Sequence, residues 1–196
     1  VAFYASTTTS NYITATNGTI TIAVGNSGRM QKTLNSSGTV WSPVYTGNTS
    51  DFNTITYANN LFLAGTTSAI YFSADGANWT KSTTSLTVNS IAYGAGVYVI
   101  VGSGIQYSSD LITWTSPSGS PGFTFYKVIY ANSLFVAVDN VVGRIYTSPD
   151  GITWTLQTTA TAGFFDVIYA NSLFVAVGTS GVVYTSSNGT SWTSQS

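Results

Sequence analysis

Eleven side chains carry all the charge in this 196-residue chain: Asp51, Asp75, Asp110, Asp139, Asp150, Asp166, Lys32, Lys81, Lys127, Arg29 and Arg144. Glu, His and Cys are absent. The missing imidazole removes the commonest general base and metal ligand, and the missing thiol removes the disulfide, the thiolate metal site and the cysteine nucleophile. What remains is chemistry that Asp, Lys and Arg can do beside Tyr, Trp and Phe rings and a large stock of hydroxyls, since Ser and Thr fill 59 positions. No cofactor, metal site or catalytic residue is expected from this set.

Composition narrows the partners. Charged residues are 6% of the chain against a usual quarter, and the formal charge of −1 offers no field for nucleic acid or an anionic membrane. No apolar run approaches the 18 or more residues of a membrane-spanning helix, and the N-terminus lacks the basic and apolar regions of a signal peptide. Hydroxyls and amides in place of charge fit an extracellular or virion-surface protein better than a cytosolic one.

The residues are positioned by a repeat. Trp recurs at 41, 79, 114, 154 and 192, at intervals of 38, 35, 40 and 38. Tyr57, Tyr93, Tyr130 and Tyr169 each end an apolar run and precede a turn, with Thr16 in the same place of a worn first copy. Each unit resolves into four short strand-type runs separated by Gly, Asn, Asp and Ser, the signature of an antiparallel meander. In the fifth unit they are 164–169, 172–178, 181–185 and 191–195. Four strands per 35–41 residues, with no 3.6-residue pattern, match the blade of a β-propeller, in which each sheet covers its neighbour.

The predicted fold is therefore all-β: one five-bladed β-propeller domain over 1–196, with four antiparallel strands per blade. The blades are placed at about 11–45, 52–83, 88–116, 124–158 and 163–196. Residues 1–8 are left over, and are expected to pair with the last blade or to tether the domain to a larger protein. A ring of five would let every blade bury both faces.

Between the third and fourth strands the units read Ser73-x-Asp75-Gly76-x-x-Trp79, Ser108-x-Asp110-x-x-x-Trp114, Ser148-x-Asp150-Gly151-x-x-Trp154 and Ser186-x-Asn188-Gly189-x-x-Trp192. This resembles the Asp-box, the hairpin motif of sialidase-like (BNR-type) propellers and of bacterial and phage surface proteins. Residues 35–41 form a copy without the Asp. Here Ser, Asp or Asn and Trp are read as structural: the carboxylate or amide accepts backbone N–H bonds, the Gly takes positive φ and the Trp wedges between blades.

Function is then expected on the opposite face, where inter-blade connections and the loops between second and third strands meet. Six of the eight charges outside the Asp-boxes fall there: Arg29, Asp51, Lys127, Asp139, Arg144 and Asp166. Counting back from the Tyr anchor gives two rings of inner-strand residues, Ile13, Thr54, Ser90, Lys127 and Asp166, and Tyr12, Asn53, Asn89, Tyr126 and Phe165. One ring should face the channel, and Lys127 with Asp166 reads as an ion pair between adjacent blades. The candidate ligand-binding residues are Arg29, Asp51, Asn53, Asn89, Tyr126, Lys127, Asp139, Arg144 and Asp166.

Sialidase chemistry needs three Arg and a Tyr nucleophile backed by Glu, which two Arg and no Glu cannot supply; other glycosidases need two carboxylates at a set separation. The sequence reading is a non-enzymatic binding or display module, such as a phage receptor-binding or spike domain recognising a cell-surface glycan among other virion proteins. A secreted microbial lectin is the alternative, and a purely structural decoration domain the second.

Overall fold

The computed structural model describes residues 12–34, 39–118 and 122–195. The expected extra strand at 1–8 lies outside them. The chain folds into five sheets of sequentially adjacent antiparallel strands. Blade one contains β1 (Ile13–Thr16), β2 (Thr21–Val24), β3 (Met30–Thr33) and β4 (Trp41–Pro43); blade two contains β5 (Thr54–Ala58), β6 (Leu61–Gly65), β7 (Ala69–Ser73) and β8 (Thr80–Thr83). Blade three has β9 (Val88–Gly94), β10 (Val97–Gly102) and β11 (Ile105–Ser108), and its outermost strand shrinks to a single bridge from Tyr107 to Thr115. Two residues later Pro117 has no N–H with which to extend a ladder. Blade four is β12 (Phe125–Ala131), β13 (Leu134–Asp139), β14 (Arg144–Ser148) and β15 (Thr155–Thr159); blade five is β16 (Phe164–Ala170), β17 (Leu173–Gly178), β18 (Val183–Ser186) and β19 (Thr193–Gln195).

The Tyr anchor has a direct physical basis. Tyr57, Tyr93, Tyr130 and Tyr169 stand opposite Phe62, Tyr98, Phe135 and Phe174 across the first hairpin, with ring centroids 4.5–4.9 Å apart. Such cross-strand aromatic pairs fix register as well as burying area. The hairpins turn through Asn59-Asn60, Ala95-Gly96, Asn132-Ser133 and Asn171-Ser172, every residue at positive φ, as a two-residue turn matched to strand twist requires. Blade one has Thr16 opposite Thr21 in place of the aromatic clamp.

Between third and fourth strands the Ser and Asp close on each other. Ser73 Oγ donates to Asp75 Oδ1 at 3.0 Å and accepts from the Gly76 amide, while Asp75 Oδ1 accepts the Ala77 and Asn78 amides at 2.8 Å. Ser108–Asp110, Ser148–Asp150 and Ser186–Asn188 repeat the arrangement. Backbone bonds from Asn78 and Ala77 hold the Asp75 carboxyl well below the usual range, and those from Thr113 and Ile112 bring Asp110 to about 2. For Asp150 partial burial pushes upward, but bonds from Thr153, Ile152 and Ser148 outweigh it. Trp79, Trp114, Trp154 and Trp192 each pack into the core shared with the preceding blade.

These cores are four in number among the described residues. One face of each blade offers aliphatic side chains to the aromatic-rich face of the next: Ile22, Val24 and Met30 to Phe62, Ala64 and Tyr71; Leu63 and Ile70 to Tyr98 and Ile100; Val99, Val101 and Ile105 to Phe135 and Ala137; Val136, Val138 and Ile145 to Phe174 and Ala176. Among the described residues no buried cluster joins blade five to blade one, so the mutual cover expected of a ring of five is present at four junctions and not at a fifth.

Candidate functional site

At the inner edge of blades three, four and five the ladder skips a residue. Phe125 pairs with Asp139 and Lys127 with Val138, leaving Tyr126 unpaired; Phe165 is left out in the same way between Phe164 and Asp166, and Asn89 between Val88 and Ser90. A β-bulge of this kind bends the strand and re-aims a side chain, and bulges concentrate beside functional sites. The Tyr126 and Phe165 rings consequently stand side by side, centroids 5.7 Å apart at an interplanar angle of 58°, yet remain 42% and 46% exposed. The next residues along each strand form the ion pair Lys127 Nζ–Asp166 Oδ1 at 3.8 Å. Asp166 Oδ1 also accepts the Val167 amide at 2.9 Å. Both side chains of the pair are half-exposed, so it adds at most about 1 kcal/mol to stability and leaves the charges open to a ligand.

Three of the nine expected site residues, Tyr126, Lys127 and Asp166, are thus brought together with Phe165, the ring-position neighbour of Tyr126. The others are placed differently. Asp139 is fully buried: Oδ1 accepts the amides of Val141, Val142 and Gly143 at 2.9–3.1 Å, and Oδ2 faces Arg144 at 3.3 Å. The Arg144 guanidinium stands over the Phe123 ring, with Cζ 3.6 Å from its centroid. This pair is a corner brace for the loop between β13 and β14 and does not present itself to a ligand, because every polar edge of the carboxylate is occupied inside the fold. Asn89 donates from Nδ2 to the Phe125 carbonyl at 2.8 Å, tying blade three to blade four. Asp51 accepts the Ser27 amide at 2.7 Å, and the Asn53 backbone donates to the Gly65 carbonyl at 2.8 Å.

Arg29 lies apart from these rings, in a concavity. A groove of about 850 Å³ opens on blade one, lined by Tyr12, Arg29, Gln31, Pro43, Tyr45 and Asn48. Tyr45 was invisible to sequence reasoning because it ends the first unit at a place where the others have Thr83, Ser118, Thr158 and Ser196, so the repeat gives it no counterpart. Among the described residues no group of three Asp side chains is gathered as a metal site would require.

The chain matches no protein-family model and no curated protein. Solved structures are similar throughout. YCF48 bound to D1 peptide has a TM-score of 0.71 at 18% identity over 95% of this chain and 67% of that one. YCF48 from Cyanidioschyzon merolae gives 0.69 at 17% over 95% and 70%. A chain of the mitotic checkpoint complex gives 0.74 at 11% over 97% and 68%. This chain spans 56–70% of the length of such neighbours. No helix among the described residues is long and apolar enough to cross a membrane. Likeness at this level of identity shows the fold, and with five sheets joined face to face the chain is a five-bladed β-propeller.

Proposed function

We propose that the chain is a non-enzymatic binding module whose ligand, a carbohydrate of a cell surface, lies across the Tyr126–Phe165 pair. The observation that carries this reading is two exposed rings ejected from adjacent blades by matching bulges, flanked by an open cation and an open carboxylate. The rings suit the apolar face of a pyranose, and Lys127 and Asp166 suit its hydroxyls as donor and acceptor. The resemblance of the Ser-x-Asp turns to Asp-boxes agrees with a non-catalytic role, since Asp75, Asp110 and Asp150 are spent on backbone amides. The low charge and the Ser- and Thr-rich surface suit display outside the cell, as in a phage receptor-binding or spike domain or a secreted lectin; a purely structural decoration is the remaining option.

A glycan array tests this directly. The chain is expected to retain at least one surface polysaccharide or glycan, and Tyr126→Ala and Phe165→Ala are each expected to weaken that binding about tenfold, a loss of roughly 1.4 kcal/mol. Absence of binding across the array, or binding indifferent to both substitutions, refutes the reading. A peptide is the second reading, favoured by one comparison: the YCF48 structure is of a complex with a peptide. A peptide library screened on the same two variants separates it from the first.

A further inference from the structure

The aliphatic face that blades one to four each turn toward a successor also exists on blade five. Register places Val175, Val177 and Val183 where blade four has Val136, Val138 and Ile145, and Ile168 where it has Ile129. In blade four the first three are completely buried against blade five, and Ile129 packs on the same core. In blade five Val177 is 40% and Ile168 50% exposed. The sequence carries β-branched aliphatic residues on a face that joins no buried cluster among the described residues.

Blade one does not supply the missing cover. The positions that receive a neighbour in blades two, four and five are occupied by Ile55, Val128 or Val167, then Phe62, Phe135 or Phe174, and Tyr71, Tyr146 or Tyr184. Blade one has Thr14, Thr21 and Gln31 there. Blade three buries Gln106 at the place of Gln31, with Nε2 donating to Ser85 Oγ and Oε1 left without a partner; burying Thr14 and Thr21 as well against aliphatic groups would add two hydroxyls to that cost. The groove of about 850 Å³ opens beside Gln31, and no blade-five residue lines it.

We propose that the outer face of blade five seats a sixth blade of the same repeat, one whose receiving face carries an aliphatic residue, a Phe and a Tyr at the places of Val167, Phe174 and Tyr184. Three of the four internal junctions define this occupant, because blades two, four and five each receive their neighbour with an aliphatic residue, a Phe and a Tyr, while blade three does so with Ile91, Tyr98 and Gln106. The proposal is independent of the carbohydrate reading.

The test uses the full chain, the full chain followed by a second copy of residues 160–196, and that extended chain with Thr, Thr and Gln at the copied Val167, Phe174 and Tyr184 positions. Fluorescence of a dye that binds apolar surface is expected to be high for the chain itself and to be lost with Ile168→Thr plus Val177→Thr. It should fall, and Tm should rise, in the extended chain but not in its polar-faced version. Equal dye binding by both extended chains overturns the proposal. So does a full chain that binds no more dye than the double variant, or that binds more once residues 1–11 are deleted, which identifies those residues as the cover. A concentration-dependent dimer abolished by Val177→Lys overturns it in favour of a second copy.

Discussion

Replacing Asp139 removes the acceptor around which the β13–β14 loop is folded. In Asp139→Ala the amides of Val141, Val142 and Gly143 lose their common acceptor and Arg144 loses its anion. Removing one partner of a buried ion pair costs roughly 3–5 kcal/mol because the survivor stays desolvated. The Arg144 side chain is 20% exposed, and Val141 and Val142 lie at the surface, so water recovers part of that loss and the lower end applies. The expected cost is about 3 kcal/mol, which for a domain of this size is a fall in Tm of about 6–12 °C. Asp139→Asn keeps an oxygen for the three amides but turns an Nδ2 donor toward the Arg144 guanidinium in place of Oδ2, losing that charged hydrogen bond at about 2 kcal/mol. Urea unfolding followed by both Trp fluorescence and circular dichroism measures the two variants, and coincidence of the probes validates the comparison. If both variants fall within about 0.5 kcal/mol of the parent, the range of ordinary surface changes, the carboxylate does not hold the loop. If Asn costs as much as Ala, the charge and not the amide cradle is the dominant interaction.

Leu111 stands at φ +64° where the other turns have Gly76, Gly151 or Gly189, and it is buried in the core between blades two and three. Leu111→Gly relieves about 1–2 kcal/mol of left-handed strain but forfeits about 2–5 kcal/mol of burial and packing, so a net loss of stability is expected in the same urea assay. Gly94→Ala drives a methyl into the Tyr130 ring, which cannot retreat without breaking its pairing with Phe135; a lowered Tm and a changed near-ultraviolet dichroism are expected. The carboxyls of Asp75, Asp110 and Asp150 are all lower in the folded chain than the ~3.9 of an unfolded Asp. Their contribution is therefore complete above about pH 4 and is lost as pH falls toward 2 and below. The urea midpoint should drop over that interval, and the combined change Asp75→Asn, Asp110→Asn and Asp150→Asn should flatten the dependence, because Asn188 already makes the same two amide bonds without a charge.

The parts of the fold legible in the sequence are those governed by local chemistry repeated at a fixed interval. Trp at 79, 114, 154 and 192, the Tyr anchors, and the Asn- and Gly-bearing turns mark strand ends because each does the same work in every blade. The fifth-unit strands expected at 164–169 and 172–178 fold as Phe164–Ala170 and Leu173–Gly178, while the run at 181–185 begins later because Thr179–Gly181 winds into a short 3-10 turn. The bulges were not legible, since one unpaired residue leaves the apolar alternation nearly intact on both sides; the count back from Tyr130 and Tyr169 nonetheless placed Tyr126 and Phe165 in one ring. Asp139 misled because a carboxylate at the end of a strand has the same sequence signal whether it faces solvent or its own loop. What separates the cases is the arrival of three amides and Arg144, which the loop supplies only after folding. Cover between blades depends on the identity of both faces, and the Thr side chains on blade one became meaningful once register set them against the aromatic positions of the other blades.

The Thr16–Thr21 pair has a consequence for how the chain comes apart. Blades two to five are each held by a hairpin clamp, and every blade by its neighbours, so stability along the arc is a sum of unit and nearest-neighbour terms. Blade one contributes the weakest unit term, lacking the aromatic clamp, and shares one core instead of two. Opening should therefore begin there and travel inward, with blades three and four, clamped and covered on both sides, as the last to yield.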